Sequence, residues 1–137
     1  MLKENVAVVG GRQLHYVTGG RGRSLLFLHG WLAYSVLEYR TALEGLSEHF
    51  SVTAPSLVME RSSLPTTAAY VALMRDFMQQ QKLRKAVVCG YSFGSAIAAM
   101  LAARYPALVS RLILVDPVGM SADRSTLQWV SGYVRDY

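Results

Sequence analysis

Ala86-Val87-Val88-Cys89-Gly90-Tyr91-Ser92-Phe93-Gly94-Ser95-Ala96-Ile97-Ala98-Ala99-Met100 decides how this chain is read. Val87, Val88 and Cys89 make an apolar run that suits a strand buried on both faces. From Gly94 the composition turns alanine-rich, with larger apolar residues at Ile97, Met100 and Leu101. That spacing predicts a helix, which Pro106 closes just beyond Arg104. Ser92 sits between the two elements with a glycine as second neighbour on each side. A turn this short leaves no room for side chains at Gly90 and Gly94, so glycine relieves the clash. Ser92 is then held at the tip. The first turn of the helix aims its positive dipole end and its unpaired N–H groups at any anion that develops there.

The spacing is that of a G-x-S-x-G nucleophile elbow. The competing reading is a strand-to-helix turn with an ordinary helix-capping serine. The sequence has no G-x-G-x-x-G, which argues against dinucleotide binding. It has no Gly-Lys-Ser/Thr, which excludes a P-loop.

Around this stretch the composition sets bounds. The chain has 137 residues, enough for one core; 52% are hydrophobic and 17% charged, the balance of a globular domain. The apolar runs are too short to cross a bilayer, and no long apolar segment follows Met1 to Asn5 as a signal peptide would require. Cys89 is the only cysteine, so an internal disulfide is excluded and a cytoplasmic setting is expected. The net charge is +5, mostly scattered. Lys82, Arg84 and Lys85 cluster before the Ala86 strand, at the end opposite Ser92. They read as a solvated turn rather than a nucleic-acid site.

In chain order, Val6–Val9 and Gln13–Thr18 read as a hairpin turned at Gly10-Gly11. Ser24-Leu25-Leu26-Phe27-Leu28 reads as a central buried strand, followed by His29-Gly30-Trp31. Ser35 and Glu38 have capping-box spacing ahead of a helix with Val36, Tyr39, Leu43 and Leu46 on one face. Phe50–Ala54 is the next strand. Thr66 or Thr67 starts a helix with Val71, Met74, Phe77 and Met78 inward, a stripe read as core packing. Arg111–Val115 is expected to be another buried strand, and Leu127, Val130 and Val134 mark one side of a last helix. Alternation of strands and helices from Ser24 onward predicts an α/β fold: a mostly parallel sheet with helices on both faces. Ligands of such sheets bind beyond the carboxyl ends of the strands, where Trp31, Ser56, Ser92 and Asp116 should gather.

These pieces together resemble the first half of an α/β-hydrolase-fold protein. The matching residues are Leu26-Phe27-Leu28-His29-Gly30-Trp31, Gly90 to Gly94, and Leu112-Ile113-Leu114-Val115-Asp116-Pro117. The resemblance implies that Ser92 is the nucleophile and that the backbone N–H groups of Phe93 and Trp31 form the oxyanion hole. It gives His29 the task of shaping its loop rather than acting as base. It implies a small apolar acyl-type substrate and no cofactor or metal. It places the hydrolase core in residues 1–119 and the start of a lid in residues 120–137. A serine at the elbow argues against the aspartate-nucleophile branches of the family, such as haloalkane dehalogenases and epoxide hydrolases.

Two departures stand out. Where the family usually carries Asp-Leu-x-Gly-x-Gly, this chain has Ser56-Leu57-Val58-Met59-Glu60-Arg61. The family's triad runs serine, acid, histidine, yet His15, His29 and His49 all precede Ser92. Asp116 stands where an acid could lie, although a strand-end aspartate before proline has a local structural role of its own. The expectation is therefore the N-terminal portion of a serine hydrolase, with an acyltransferase or a non-catalytic binding module that keeps the elbow as scaffold as alternatives. A sheet that stops at Arg111–Val115 would self-associate or pair with a partner supplying the missing half.

Overall fold

Successive apolar side chains along Ser24–Leu28 must leave the backbone on opposite sides, so this run needs cover on both faces. A computed structural model, which describes residues 1–31, 35–57 and 66–118, shows how it is covered. Strands β1 (Lys3–Val9), β2 (Arg12–Gly19) and β3 (Arg23–Leu28) come first. A 3₁₀ turn (Val36–Tyr39), α1 (Arg40–Ser47) and β4 (Phe50–Pro55) follow, then α2 (Thr67–Gln80), β5 (Ala86–Tyr91), α3 (Phe93–Arg104) and β6 (Val109–Val115). The six strands form one sheet in the order β1-β2-β4-β3-β5-β6. β1, β2 and β4 pair antiparallel; β4, β3, β5 and β6 pair parallel. This is the expected α/β sheet, antiparallel at its N-terminal edge only.

Leu25 and Phe27 pack with Val52, Val87 and Cys89 beneath Leu43 of α1. Leu26 and Leu28 pack on the other face, with Met74 and Phe77 of α2 and Ile97 and Leu101 of α3. The Met and Phe stripe of α2 is core: Met74, Phe77 and Met78 are fully buried. The two faces follow from chain direction. The connection from β3 runs outward to β4 through α1, whereas that from β5 runs the other way to β6 through α3. Right-handed crossovers in opposite directions put their helices on opposite faces.

Local signals are met where they were strongest. Gly10 and Gly11 turn the hairpin with φ of +57° and +79°, both in the left-handed region that a two-residue type I′ turn requires. Ser35 and Glu38 form the capping box: Ser35 Oγ accepts from the Leu37 N–H and Glu38 accepts from the Ser35 N–H, each at 3.2 Å. The box opens a 3₁₀ turn, however, and α-helical geometry starts only at Arg40. Thr66 caps α2 by accepting from the Ala69 N–H at 3.2 Å.

One expectation fails. The strand read as buried, β6, is largely exposed: Leu112, Ile113 and Val115 keep 39%, 42% and 42% of their surface. It pairs only with β5 among the described residues, and α1 covers β3 and β4 rather than this flank. Its apolar character marks a strand that can be covered; α3 packs along it and Val109 and Leu114 are partly buried against the core, while the described residues leave Leu112, Ile113 and Val115 uncovered. The last helix and the lid segment, together with Val58 to Pro65, lie outside the described residues.

Candidate active site

In an open parallel sheet the binding crevice opens where two neighbouring strands send their connections in opposite directions. Here those neighbours are β3 and β5. His29-Gly30-Trp31 leaves the end of β3, and Ser92 leaves the end of β5. The topology alone therefore brings Trp31 and Ser92 to one crevice.

The elbow is as tight as its glycines imply. Ser92 has φ +50° and ψ −116°, a backbone conformation that costs a non-glycine residue on the order of 1–3 kcal/mol. A Cβ on Gly90 would overlap the Gly94 carbonyl and come within 2.6 Å of Ser95 Cα. A Cβ on Gly94 would overlap the Leu28 carbonyl and come within 2.7 Å of the His29 oxygen. Both glycines are needed for space, since neither has a positive φ. The Ser92 side chain makes no cap hydrogen bond to α3, which removes the reading of Ser92 as an ordinary helix cap. Phe93 follows at the first position of α3, buried, its backbone N–H in the orphan first turn.

Gly30 lets the β3 loop reach the elbow. A Cβ there would stand 3.4 Å from Ser92 Cβ and 3.3 Å from the Tyr91 ring. His29, 1% exposed, fixes the loop. Its Nε2 lies 2.7 Å from the Leu57 backbone nitrogen, which can only donate, so Nε2 accepts. Nδ1 therefore carries the proton and donates to the Gly30 carbonyl at 2.7 Å. The ring is held neutral, and burial pushes its pKa below the ordinary value. Both nitrogens are engaged, so His29 has no free site with which to take a proton from Ser92. His49 precedes β4 at the opposite end of the sheet, and His15 is exposed on β2.

Three rings pack around the two segments. Trp31 meets Phe93 edge to face at 4.9 Å, Phe93 meets Tyr70 at 5.5 Å, and Trp31 meets Tyr70 at 6.4 Å. The Tyr70 hydroxyl donates to the Leu57 carbonyl at 3.0 Å, and burial raises its pKa to about 12. Asp116 ends β6 beside the elbow strand, exposed and with φ +45°. Ser56 follows β4 on the same rim. It lines a cavity of about 290 Å³ with His15 and Ser35 that includes neither Ser92 nor Trp31.

Sequence reasoning missed three residues. Ser95 is 1% exposed; its hydroxyl lies 2.7 Å from the Gly90 carbonyl and 3.2 Å from that of Val115. Its place at the head of an alanine-rich helix hid it. Tyr70 stands just before the Val71, Met74, Phe77 and Met78 stripe and carries no signal of its own in the sequence, and Leu57 lies in a loop read only as a departure. Among the described residues no three metal-ligating side chains cluster, and no helix is long and apolar enough to cross a membrane.

Comparison with known proteins identifies the fold family. The model of the alpha/beta hydrolase fold family matches residues 23–137. A soluble epoxide hydrolase of Corynebacterium sp. (strain C12) is 33% identical over 117 residues, 82% of this chain and 41% of that protein. A pimeloyl-[acyl-carrier protein] methyl ester esterase of Vibrio campbellii is 33% identical over 102 residues, 74% of this chain and 40% of that protein. The crystal structure of a membrane phospholipase A superposes with a TM-score of 0.81 at 27% identity, over 89% of this chain and 42% of that one. The chain thus spans about two fifths of the length of these relatives, which are hydrolases by name. The matched region holds the elbow, the His-Gly loop and four of the six strands, and the chain belongs to the alpha/beta hydrolase fold family.

Proposed function

We propose that this chain carries the nucleophile and the oxyanion hole of a serine hydrolase acting on a small apolar acyl compound. Ser92 Oγ attacks the carbonyl carbon as a general base takes its proton and later passes it to the leaving group, and negative charge grows on the carbonyl oxygen. The backbone N–H groups of Phe93 and Trp31 receive that charge, each donor worth about 3 kcal/mol in the barrier. Collapse of the tetrahedral species expels the leaving group and leaves an acyl-enzyme on Ser92, which water then cleaves. Residues 1–119 form the core in this reading, residues 120–137 open the lid, and the buried thiol of Cys89 fits a cytoplasmic setting.

The observation that carries the reading is the Ser92 backbone at φ +50°, held against strain with its side chain uncommitted to a cap. A serine used only for capping needs no such conformation. Ser92 also directs the chemistry toward esters, thioesters, amides or activated C–C bonds rather than toward the epoxide in the name of one relative. The base is the missing role: His29 is locked, and no histidine follows Ser92 in the 137 residues.

The test supplies that base from solution. The chain is incubated with p-nitrophenyl acetate and exogenous imidazole, beside Ser92→Ala. The expected result is an imidazole-dependent increment that Ser92→Ala lacks, with an acetyl adduct on the Ser92 peptide by mass spectrometry. Equal rates and no adduct would leave the elbow as scaffold only.

A further inference from the structure

Tyr70 lies on α2, outside both strand-end loops, yet it touches both. Its ring meets Phe93 at 5.5 Å and Trp31 at 6.4 Å. Those two residues supply the N–H groups assigned above to the oxyanion hole, and they come from different strands. Their own rings meet at 4.9 Å, so Trp31, Phe93 and Tyr70 close a three-membered edge-to-face cluster. Such pairs contribute beyond plain area burial and fix mutual orientation.

The hydroxyl adds a second tie. It donates to the Leu57 carbonyl at 3.0 Å, while the Leu57 N–H donates to His29 Nε2 at 2.7 Å. Leu57 is thus gripped on both sides of its backbone, by α2 and by the residue two before Trp31. Tyr70 is 2% exposed, so neither tie competes with solvent. A Phe at this position would fill the same space. The hydroxyl therefore carries a burial penalty that, among the described residues, the Leu57 carbonyl offsets.

We infer that Tyr70 is a positioning residue that sets the Trp31 and Phe93 backbone N–H groups at a fixed separation, through its ring and through the Leu57–His29 link. The role rests on the assignment of those two groups as oxyanion donors. It predicts that changes in Tyr70 alter acylation through donor placement, without altering the nucleophile.

The experiment separates placement from chemistry. Backbone amide order parameters of Trp31 and Phe93 are measured by NMR in the wild-type chain, Tyr70→Phe and Tyr70→Leu, with urea midpoints alongside. In the wild type both amides should lie near the rigid value of about 0.85. Tyr70→Leu should lower both toward roughly 0.6 or less. Tyr70→Phe, which keeps the ring, should leave Phe93 rigid and loosen Trp31. Imidazole-assisted acylation should fall roughly tenfold in Tyr70→Phe with KM unchanged, as misplacement of a catalytic group predicts. If Tyr70→Leu does not fold, Tyr70→Phe carries the test alone. Trp31 and Phe93 amides as rigid in the folded variants as in the wild type would overturn the positioning role. Rigid wild-type amides that loosen as stated, with no Ser92 adduct in any protein, would overturn the hydrolase assignment instead.

Discussion

The backbone N–H of Ser92 donates to the carbonyl of Val115 at 2.9 Å, tying the elbow to the end of the neighbouring strand. The Ser95 hydroxyl reaches the same carbonyl at 3.2 Å and the Gly90 carbonyl at 2.7 Å. The elbow therefore has a latch as well as steric relief. Ser95→Ala should lower the urea midpoint by the equivalent of about 1–3 kcal/mol, because it strips the hydroxyl partner from the buried Gly90 carbonyl. An unchanged midpoint would show that the latch is redundant with the Ser92 amide.

Strain at Ser92 gives a prediction of opposite sign. Ser92→Gly should raise stability by roughly 1 kcal/mol, because glycine adopts positive φ freely. Gly94→Ala should lower it by several times that amount, since its Cβ has to displace the Leu28 backbone. Urea melts of the two variants beside Ser92→Ala rank the three. Gly94→Ala as stable as Ser92→Ala would contradict the tight turn.

Folding should depend on pH through His29. Its pKa is lowered in the folded chain, chiefly by burial. As pH falls below the ordinary value of about 6.5, the unfolded chain takes up the proton first, so stability falls until the folded value is passed. Above that ordinary value the neutral ring contributes fully. Unfolding midpoints across that range should slope downward toward acid in the wild type and flatten in His29→Gln. A wild-type chain with the same slope as the variant would assign the acid sensitivity elsewhere.

The exposed side chains of β6 predict association. Leu112, Ile113 and Val115 lie on a strand that is at the sheet edge among the described residues and whose only charge, Arg111, is near its start. Such an edge is a template for another strand. Light scattering across a concentration series should show mass rising with concentration, and Ile113→Lys should suppress the rise. A monodisperse monomer throughout would mean that the edge is already covered.

How much of this was legible in the sequence depended on whether the cause was local. Gly90 and Gly94 bracket Ser92 for reasons confined to one turn, and the turn is there. The Gly10-Gly11 hairpin and the Ser35–Glu38 box are equally local. The alternation from Ser24 onward fixed the two-faced sheet, because burial on both faces leaves its mark on every residue of β3. Burial of β6 could not be read that way: the same apolar run serves a covered or an uncovered strand, and the cover comes from elsewhere. The division of the Val36 helix into a 3₁₀ turn and α1 was hidden too, since the apolar spacing suits one continuous helix. The ties of Ser95 to Val115 and of Tyr70 to Leu57 span 20 and 13 residues, beyond the reach of any spacing rule.

The link from Ser95 to Val115 also imposes an order of events during synthesis. Its acceptor is made 20 residues after its donor, at about 5–20 residues per second. Ser92 therefore leaves the ribosome roughly one to four seconds before the strand that holds its strained backbone in place. Through that interval the β5–α3 turn can relax toward an ordinary conformation. The geometry that distinguishes Ser92 from any other serine is then one of the last features of this half of the sheet to be set.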